Sequence, residues 1–376
     1  MHLKAARGLP ALAALALAAS LATGCGSSDS SGGTASDTTA AAATTTEAPA
    51  VSSFPDYDSF APKDFKAPSE QTHVAALIAD TTLPLQKSMV QGWEDAAKKY
   101  NVKLDVYDAG GFANTARQVS QMETAIGTNP DAIIVLPTSP VALNAQIAQA
   151  KKQGIPVIGE LIPPQSDDMA FSFAEPLADN GEKLVDAVAD RIGGKGKVFL
   201  INGGAGGAPD VITTQGMKKA LARHPDIDVV FEKHLPTFSA AEAQQAAETA
   251  LVKNPDVAAV ITNSTTTAQG AIAAAEQAGK DLVVSGIGPD TAQQIQDIRS
   301  GKITIAITEP FYKISELLTQ WAVHLAHGGT APAKVVPVDP MVFTAGNIDE
   351  AIKTGKLFQQ LTPEALGCGP GQSKDC

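Results

Sequence analysis

Asn129-Pro130-Asp131-Ala132-Ile133-Ile134-Val135-Leu136-Pro137-Thr138-Ser139 decides the fold, because a second version of it, Asn254-Pro255-Asp256-Val257-Ala258-Ala259-Val260-Ile261-Thr262-Asn263-Ser264, follows 125 positions later. Each copy opens on a turn sequence that ends a helix. Each then runs through a short apolar, β-branched stretch suited to a strand buried on both faces, and closes on hydroxyl or amide residues. An Ala-rich helical segment follows in both and stops at a glycine, Gly154 or Gly279, again 125 positions apart. One offset held across a loop, a strand and a helix marks a duplicated folding unit.

The same alternation extends outward in both directions. Upstream lie Val74–Ala79 as a strand, a helix from about Gln86 to Tyr100, the strand Leu104–Tyr107 and a helix near Asn114 to Ile126. Pro156–Gly159 and Ala170–Phe173 follow as strands. After Glu175-Pro176 the pattern restarts with a helix to Arg191, then the strands Lys197–Ile201, Asp228–Phe231, Val257–Ile261 and Leu282–Val284, each preceded or followed by a helical stretch. Thr304–Ile307, a helix from about Tyr312 to His327, and two short extended pieces, Val335–Val338 and Pro340–Phe343, complete the chain. Strand and helix in strict alternation build a parallel, doubly wound sheet, and here two such sheets are built in succession.

Ahead of this region, Lys4 and Arg7 precede an apolar run from Leu9 to Leu21 that ends in Ala22-Thr23-Gly24-Cys25. The run is shorter than the roughly 20 residues needed to span a bilayer and has the layout of an export signal. Its close resembles the lipobox of bacterial lipoproteins, which makes Cys25 the candidate lipidation site. From Gly26 to about Pro68 the composition is Ser, Thr, Ala, Gly and Asp with a few scattered aromatics, read as a disordered tether. Two further cysteines, Cys368 and Cys376, sit in a Gly/Pro-rich tail and either pair as a disulfide or remain free thiols.

Charge sets limits on partners. The 28 Lys and Arg face 40 Asp and Glu, a net −12 that disfavours nucleic acid. No nucleophile motif, P-loop lysine or metal-ligand spacing is present, and His324 and His327 lack a third ligand. Asn202-Gly203-Gly204-Ala205-Gly206-Gly207 lies between a strand and a helix, but Pro209 stands where a dinucleotide fingerprint needs its third glycine. The sequence therefore implies no cofactor and no catalysis.

Open parallel sheets bind ligands beyond the carboxyl ends of their strands. That rule selects Asp80 and Thr81 after the first strand, Thr138 and Ser139 after the third, Glu160 after the fourth, and Asn263 and Ser264 in the second half. Phe238, in a later loop, and Glu309, at a crossing between the halves, complete the set. Hydroxyl, amide and carboxylate groups with one aromatic ring suit a small polyhydroxylated or cationic solute. Each has a plainer role open to it: Thr138, Ser139 and Ser264 as helix caps, Asp80 and Glu160 as solvated acids, Phe238 as packing.

From about Thr72 to Val338 the order of elements and several strings resemble the type I periplasmic binding proteins, the ribose-binding-like group in particular. The strings are Val74–Ile78 before a loop with Pro84, Gly92, Ala132–Thr138, Gly154–Ile158, Gly216, Asn254–Val257, Ala268-Gln269-Gly270-Ala271 and Gly301-Lys302. The resemblance implies two Rossmann-like lobes joined by a three-crossing hinge at Glu175-Pro176, Thr308–Pro310 and Pro340–Phe343. It implies a first lobe of 69–175 plus 310–338, a second of 176–308 plus 340–362, and a tail of 363–376. It also implies pocket positions near Asp80, Thr81, Leu85, Gln86, Leu136, Leu161, Val211, Thr213, Phe238, Ser264, Ile287 and Glu309. The group's sugar binders carry aromatics, an Asp-Arg pair and an arginine where this chain has Leu85 and Gln86, Leu161 and Ile162, and Val211. The function implied is a monomeric, lipid-anchored extracytoplasmic binder that passes a sugar, polyol or related small solute to an ABC transporter permease. A receptor for a membrane signalling partner, and a cationic or less polar aromatic ligand, are the alternatives.

Overall fold

The computed structural model describes residues 48–63 and 65–357. The export signal with Cys25, and the tail with Cys368 and Cys376, lie outside these residues.

The first lobe runs β1 (Thr72–Ile78), α1 (Pro84–Lys99), β2 (Val102–Asp108), α2 (Thr115–Gly127), β3 (Ala132–Val135), α3 (Asn144–Lys152), β4 (Val157–Leu161) and β5 (Phe171–Ala174). The second runs α4 (Leu177–Arg191), β6 (Gly196–Asn202), α5 (Ala208–Leu221), β7 (Ile227–His234), α6 (Ala240–Lys253), β8 (Ala259–Ile261), α7 (Thr265–Gln277), β9 (Val283–Ile287), α8 (Ala292–Arg299) and β10 (Ile305–Thr308). The chain then returns through α9 (Phe311–Ala326) and β11 (Val335–Pro337) and crosses once more to β12 (Met341–Phe343) and α10 (Ile348–Lys353). Two six-stranded sheets result, in the orders β11-β5-β4-β3-β1-β2 and β12-β10-β9-β8-β6-β7. The duplication reaches further than the two quoted stretches, since β2 and β7, like α2 and α6, begin 125 residues apart.

Both sheets are buried on both faces, as apolar runs without alternation demand. In the first, Ala75, Leu77, Ile133 and Val135 face Met122 and Ile147, while Val74, Ala76, Ile78 and Ile134 face the core containing Trp93 and Leu318. One strand departs from the parallel scheme, because β12 pairs antiparallel with β10. The reason is the short connection: β11 runs parallel to β5 toward the hinge, and residues 338–340 leave no room to reverse before the chain enters the second sheet heading away from it.

Helix pairs meet at glycines. A Cβ on Gly216 of α5 would stand 1.9 Å from the carbonyl oxygen of Ala178 in α4, and one on Gly92 of α1 would stand 2.4 Å from that of Tyr312 in α9. No side chain fits at either distance.

The segment before β1 corrects the expectation of a disordered tether running to residue 68. Two 3-10 turns, Val51–Ser53 and Tyr57–Phe60, pack on the fold, with Val51 and Tyr57 fully buried. Val51, Phe54, Tyr57 and Phe60 recur every third residue, and three residues per turn brings them to one side. That side crosses the hinge. Phe54 meets Phe343 of β12 edge-on at 5.4 Å and Phe60 meets Phe173 of β5 at 5.7 Å. The Tyr57 hydroxyl donates to the carbonyl oxygen of Asp339 in the third crossing, at 2.5 Å. Four apolar anchors supply the burial that the surrounding Ser/Thr/Ala composition lacks.

Candidate functional site

The carboxyl ends of both sets of parallel strands face one another across a cavity between the lobes. The first lobe contributes Leu83, Pro84, Leu85, Gln86, Phe112, Leu136, Leu161 and Ile162; the second contributes Pro209, Phe238, Asn263, Ser264, Thr266, Ile287 and Asp290, with Glu175 and Leu177 from the first crossing. At its mouth the lobes touch, and a Cβ on Gly207 would lie 3.7 Å from the Cβ of Phe112.

Of the residues chosen from sequence, Gln86, Phe238, Asn263 and Ser264 come together in this cavity. Gln86 sits in the first turn of α1, where its Oε1 accepts from the backbone N–H of Asp80 at 2.7 Å. Phe238 lies against Gly203 and Gly204, which it approaches so closely that a Cβ on either would come within 3 Å of it. Asn263 brackets Gly203, accepting from its N–H at 2.8 Å and donating to its carbonyl oxygen at 3.0 Å, so it fixes the glycine loop on which the ring rests. Ser264 caps α7, accepting from the N–H of Thr266 at 3.1 Å.

Asp80, Thr138 and Ser139 line an outer groove at the mouth, with Gly204–Gly207 opposite. The carboxylate of Asp80 accepts from the N–H and the hydroxyl of Thr82, at 2.9 and 2.6 Å. Thr138 takes a bond from its backbone N–H to Gln118 Oε1 at 2.7 Å. Thr81 lines neither space, since its N–H and hydroxyl both donate to the Asp108 carboxylate at the end of β2.

Two carboxyls do not reach the cavity. Glu160 lies inside β4 rather than beyond it, and strand alternation turns it into the helical layer. There it is fully buried, 3.0 Å from Trp93 Nε1 and 2.5 Å from Ser315 Oγ. Burial pushes its pKa up to about 8, against the pull of those two donors. The Ser315 hydroxyl also lies 2.9 Å from the Phe311 carbonyl oxygen. The one Ser315 proton is therefore shared between the Glu160 carboxyl and that carbonyl oxygen. Glu309 is likewise buried, at the second crossing, with Asn180 Nδ2 at 2.6 Å from its Oε1 and 3.3 Å from Glu175 Oε1. Burial raises both Glu175 and Glu309 above the usual carboxylate range, and the nearby Glu309 charge raises Glu175 further.

Phe112, Glu175 and Asp290 line the cavity and were not among the chosen site residues. Asp290 had a signal: it stands just past the carboxyl end of β9, but β9 continues to Ile287 rather than ending at Val284. At Leu161 the backbone takes φ 61°, and the N–H of Ile162 closes a γ-turn on the carbonyl oxygen of Glu160 at 2.7 Å. Leu161 and Ile162 thereby line the cavity where the resemblance has an acid and an arginine. Val211 is exposed, outside the cavity.

Two facing parallel sheets, three crossings and a cavity between strand ends define a hinged binding protein. The chain belongs to the family described as "Periplasmic binding protein domain", whose model matches residues 74–330. It is thus one of the extracytoplasmic binding proteins and not an enzyme. It is 29% identical over 191 residues to the xylitol-binding protein of Mycolicibacterium smegmatis, covering 50% of this chain and 54% of that protein, so it spans about half the length of that relative. It is 25% identical over 246 residues to the ribose import binding protein of Bacillus subtilis, covering 65% of this chain and 78% of that protein. An ABC transporter periplasmic solute binding protein from Actinobacillus succinogenes, solved with bound D-allose, superposes with a TM-score of 0.67 at 25% identity over 74% of this chain and 99% of that one. A solute binding protein from Bacillus halodurans with bound myo-inositol gives 0.67 at 23% identity, covering 76% and 98%, a likeness of fold. Among the described residues no helix is long and apolar enough to cross a membrane, and no cluster of metal-binding side chains occurs.

Proposed function

We propose that the chain is the solute-binding subunit of an ABC importer, held to the cell membrane through a lipid on Cys25. It grips a small polar solute, a sugar, a polyol or a related compound, between its lobes. The observation that carries this reading is the interlobe cavity, formed from both carboxyl-end rims and roofed where Phe112 meets Gly207. A solute touching both rims makes contacts in the closed state that it lacks in the open one, and so shifts the population toward closure. A permease that recognises the closed shape then meets only loaded protein. The relatives named for xylitol and ribose, and the structures holding D-allose and myo-inositol, support the solute class.

A thermal-shift screen of the purified chain against sugars, polyols, amines and aromatic acids tests the reading. A bound solute stabilises by about 2.7 kcal/mol at a hundredfold excess over its dissociation constant. A panel of this breadth with no stabilising compound counts against solute binding. Replacement of Cys25 by Ala, followed by fractionation, tests the anchor: the variant leaves the membrane fraction, and retention there refutes the lipid.

A further inference from the structure

The lining of the cavity is lopsided in charge. Its polar groups are Gln86, Asn263, Ser264 and Thr266 with the acids Glu175 and Asp290, and among the described residues no Lys, Arg or His lines it. Asp290 is only 8% exposed, yet no donor reaches its carboxylate among the described residues. Its own backbone N–H is satisfied by Gln294 Oε1 at 2.6 Å, which fixes the residue while leaving the carboxylate to the cavity. Burial alone, with no opposing partner, pushes Asp290 up to about 7. Glu175, close enough to sense the Asp290 charge, stands on the same lining at the first crossing. A buried carboxylate without a partner is costly, and a protein keeps one where a ligand completes it. The remaining wall is apolar, with one aromatic ring from each lobe. A densely hydroxylated solute would lose more water than these few polar groups replace.

Resting on the solute-binding reading of this cavity, we propose that the solute carries a protonated amine, seated at Asp290 and Glu175, on an apolar or sparsely hydroxylated body packed between Phe112 and Phe238. The cation supplies the donors that Asp290 lacks, and the ion pair forms away from bulk water, where charge-assisted hydrogen bonds count most. Approach is favoured too. Asp80 stands at the mouth and the whole chain carries −12, so the field draws cations toward the cleft.

Calorimetric titration of the full chain with two matched pairs tests this: 2-phenylethylamine against 2-phenylethanol, and D-glucosamine against D-glucose, with xylitol as a fifth probe. At least one amine binds about tenfold or more tighter than its neutral counterpart. Asp290→Asn brings that ratio close to one, and its ligand-free thermal midpoint equals or exceeds the parent's, because an unpartnered acid has been removed. Glu175→Gln provides a second variant with the same expected loss of amine preference. A neutral member that binds as tightly as its amine, or a preference that survives both substitutions, overturns the inference. Glucose or xylitol binding while both amines fail overturns it as well and leaves the solute-binding reading standing. Failure of all five compounds also overturns it, and solute binding is then decided by the wider thermal-shift panel.

Discussion

The indole N–H of Trp321 donates to the carbonyl oxygen of Phe60 over 2.8 Å, tying the segment ahead of the first strand to the helix that returns the chain to the first lobe. At the segment's other end Asn347 Nδ2 donates to the carbonyl oxygen of Pro49 at 3.0 Å, next to α10 of the second lobe. Residues 49–60 therefore span the hinge. Tyr57 is the central anchor, fully buried with its hydroxyl on Asp339. Tyr57→Ala costs about 3 kcal/mol or more in urea unfolding, and Tyr57→Phe, which keeps the ring, costs about 1 kcal/mol. A chain truncated to start at Gln71 unfolds at lower urea than one starting at Ala48. Equal midpoints would show that the segment adds nothing.

Glu160 gives stability a pH dependence of defined sign. Its ordinary value is 4.5 and its folded value about 8, so between those pH values the folded state holds a proton that the unfolded state releases. Stability from this group is complete below about 4.5 and declines as pH rises toward 8, with a slope of at most about 1.4 kcal/mol per pH unit. Asp290, raised from 3.8 to about 7, adds the same sign over its own window. Thermal midpoints of the ligand-free chain fall from pH 5 to pH 8. Glu160→Gln keeps a donor toward Ser315 and an acceptor for Trp93, and flattens that fall; an unchanged slope would refute the assignment.

Two glycines separate close packing from mere helix propensity. Gly216 faces the backbone of Ala178 so closely that a Cβ would lie 1.9 Å from its carbonyl oxygen, and backbone cannot step aside as a side chain does. Gly216→Ala forces α4 and α5 apart and costs about 2 kcal/mol or more. Gly127 ends α2 with nothing within 4 Å of its Cβ direction. Gly127→Ala is neutral or stabilising by up to about 1 kcal/mol. Chemical denaturation of both variants checks the contrast.

Much of this fold is legible in the sequence because parallel strands buried on both faces write themselves as uninterrupted apolar runs, as Ala132–Val135 and Ala259–Ile261 do. The doubled Asn-Pro-Asp then gives the duplication. What escapes is set by three-dimensional context. Val51, Phe54, Tyr57 and Phe60 read as scattered apolar residues because their three-residue spacing fits neither the helical nor the strand period. Glu160 reads as a loop acid because strand ends are uncertain by a residue or two, and one residue decides which face of the sheet it meets. The rule that ligands lie beyond strand ends brings Asn263 and Ser264 to the cavity, and the resemblance adds Gln86, yet neither points to Phe112, which the loop after β2 carries across to Gly207.

Phe238 offers a test of the cavity that separates recognition from folding. Its ring is partly exposed, lies over Gly203 and Gly204, and faces the space between the lobes, so few core contacts depend on it. Phe238→Ala weakens a solute found in the thermal screen by about ten- to a hundredfold, the range for a well-placed aromatic anchor, and shifts ligand-free stability by no more than about 1 kcal/mol. Gly204→Ala reaches the same ring indirectly: at φ 72° the new Cβ is strained, and it would lie 2.8 Å from the ring edge, pushing Phe238 into the cavity. Binding falls in that variant too, although no ligand-contacting side chain has been removed. Calorimetry on the two variants decides the matter. Unchanged affinity in both would place the solute elsewhere than against this ring.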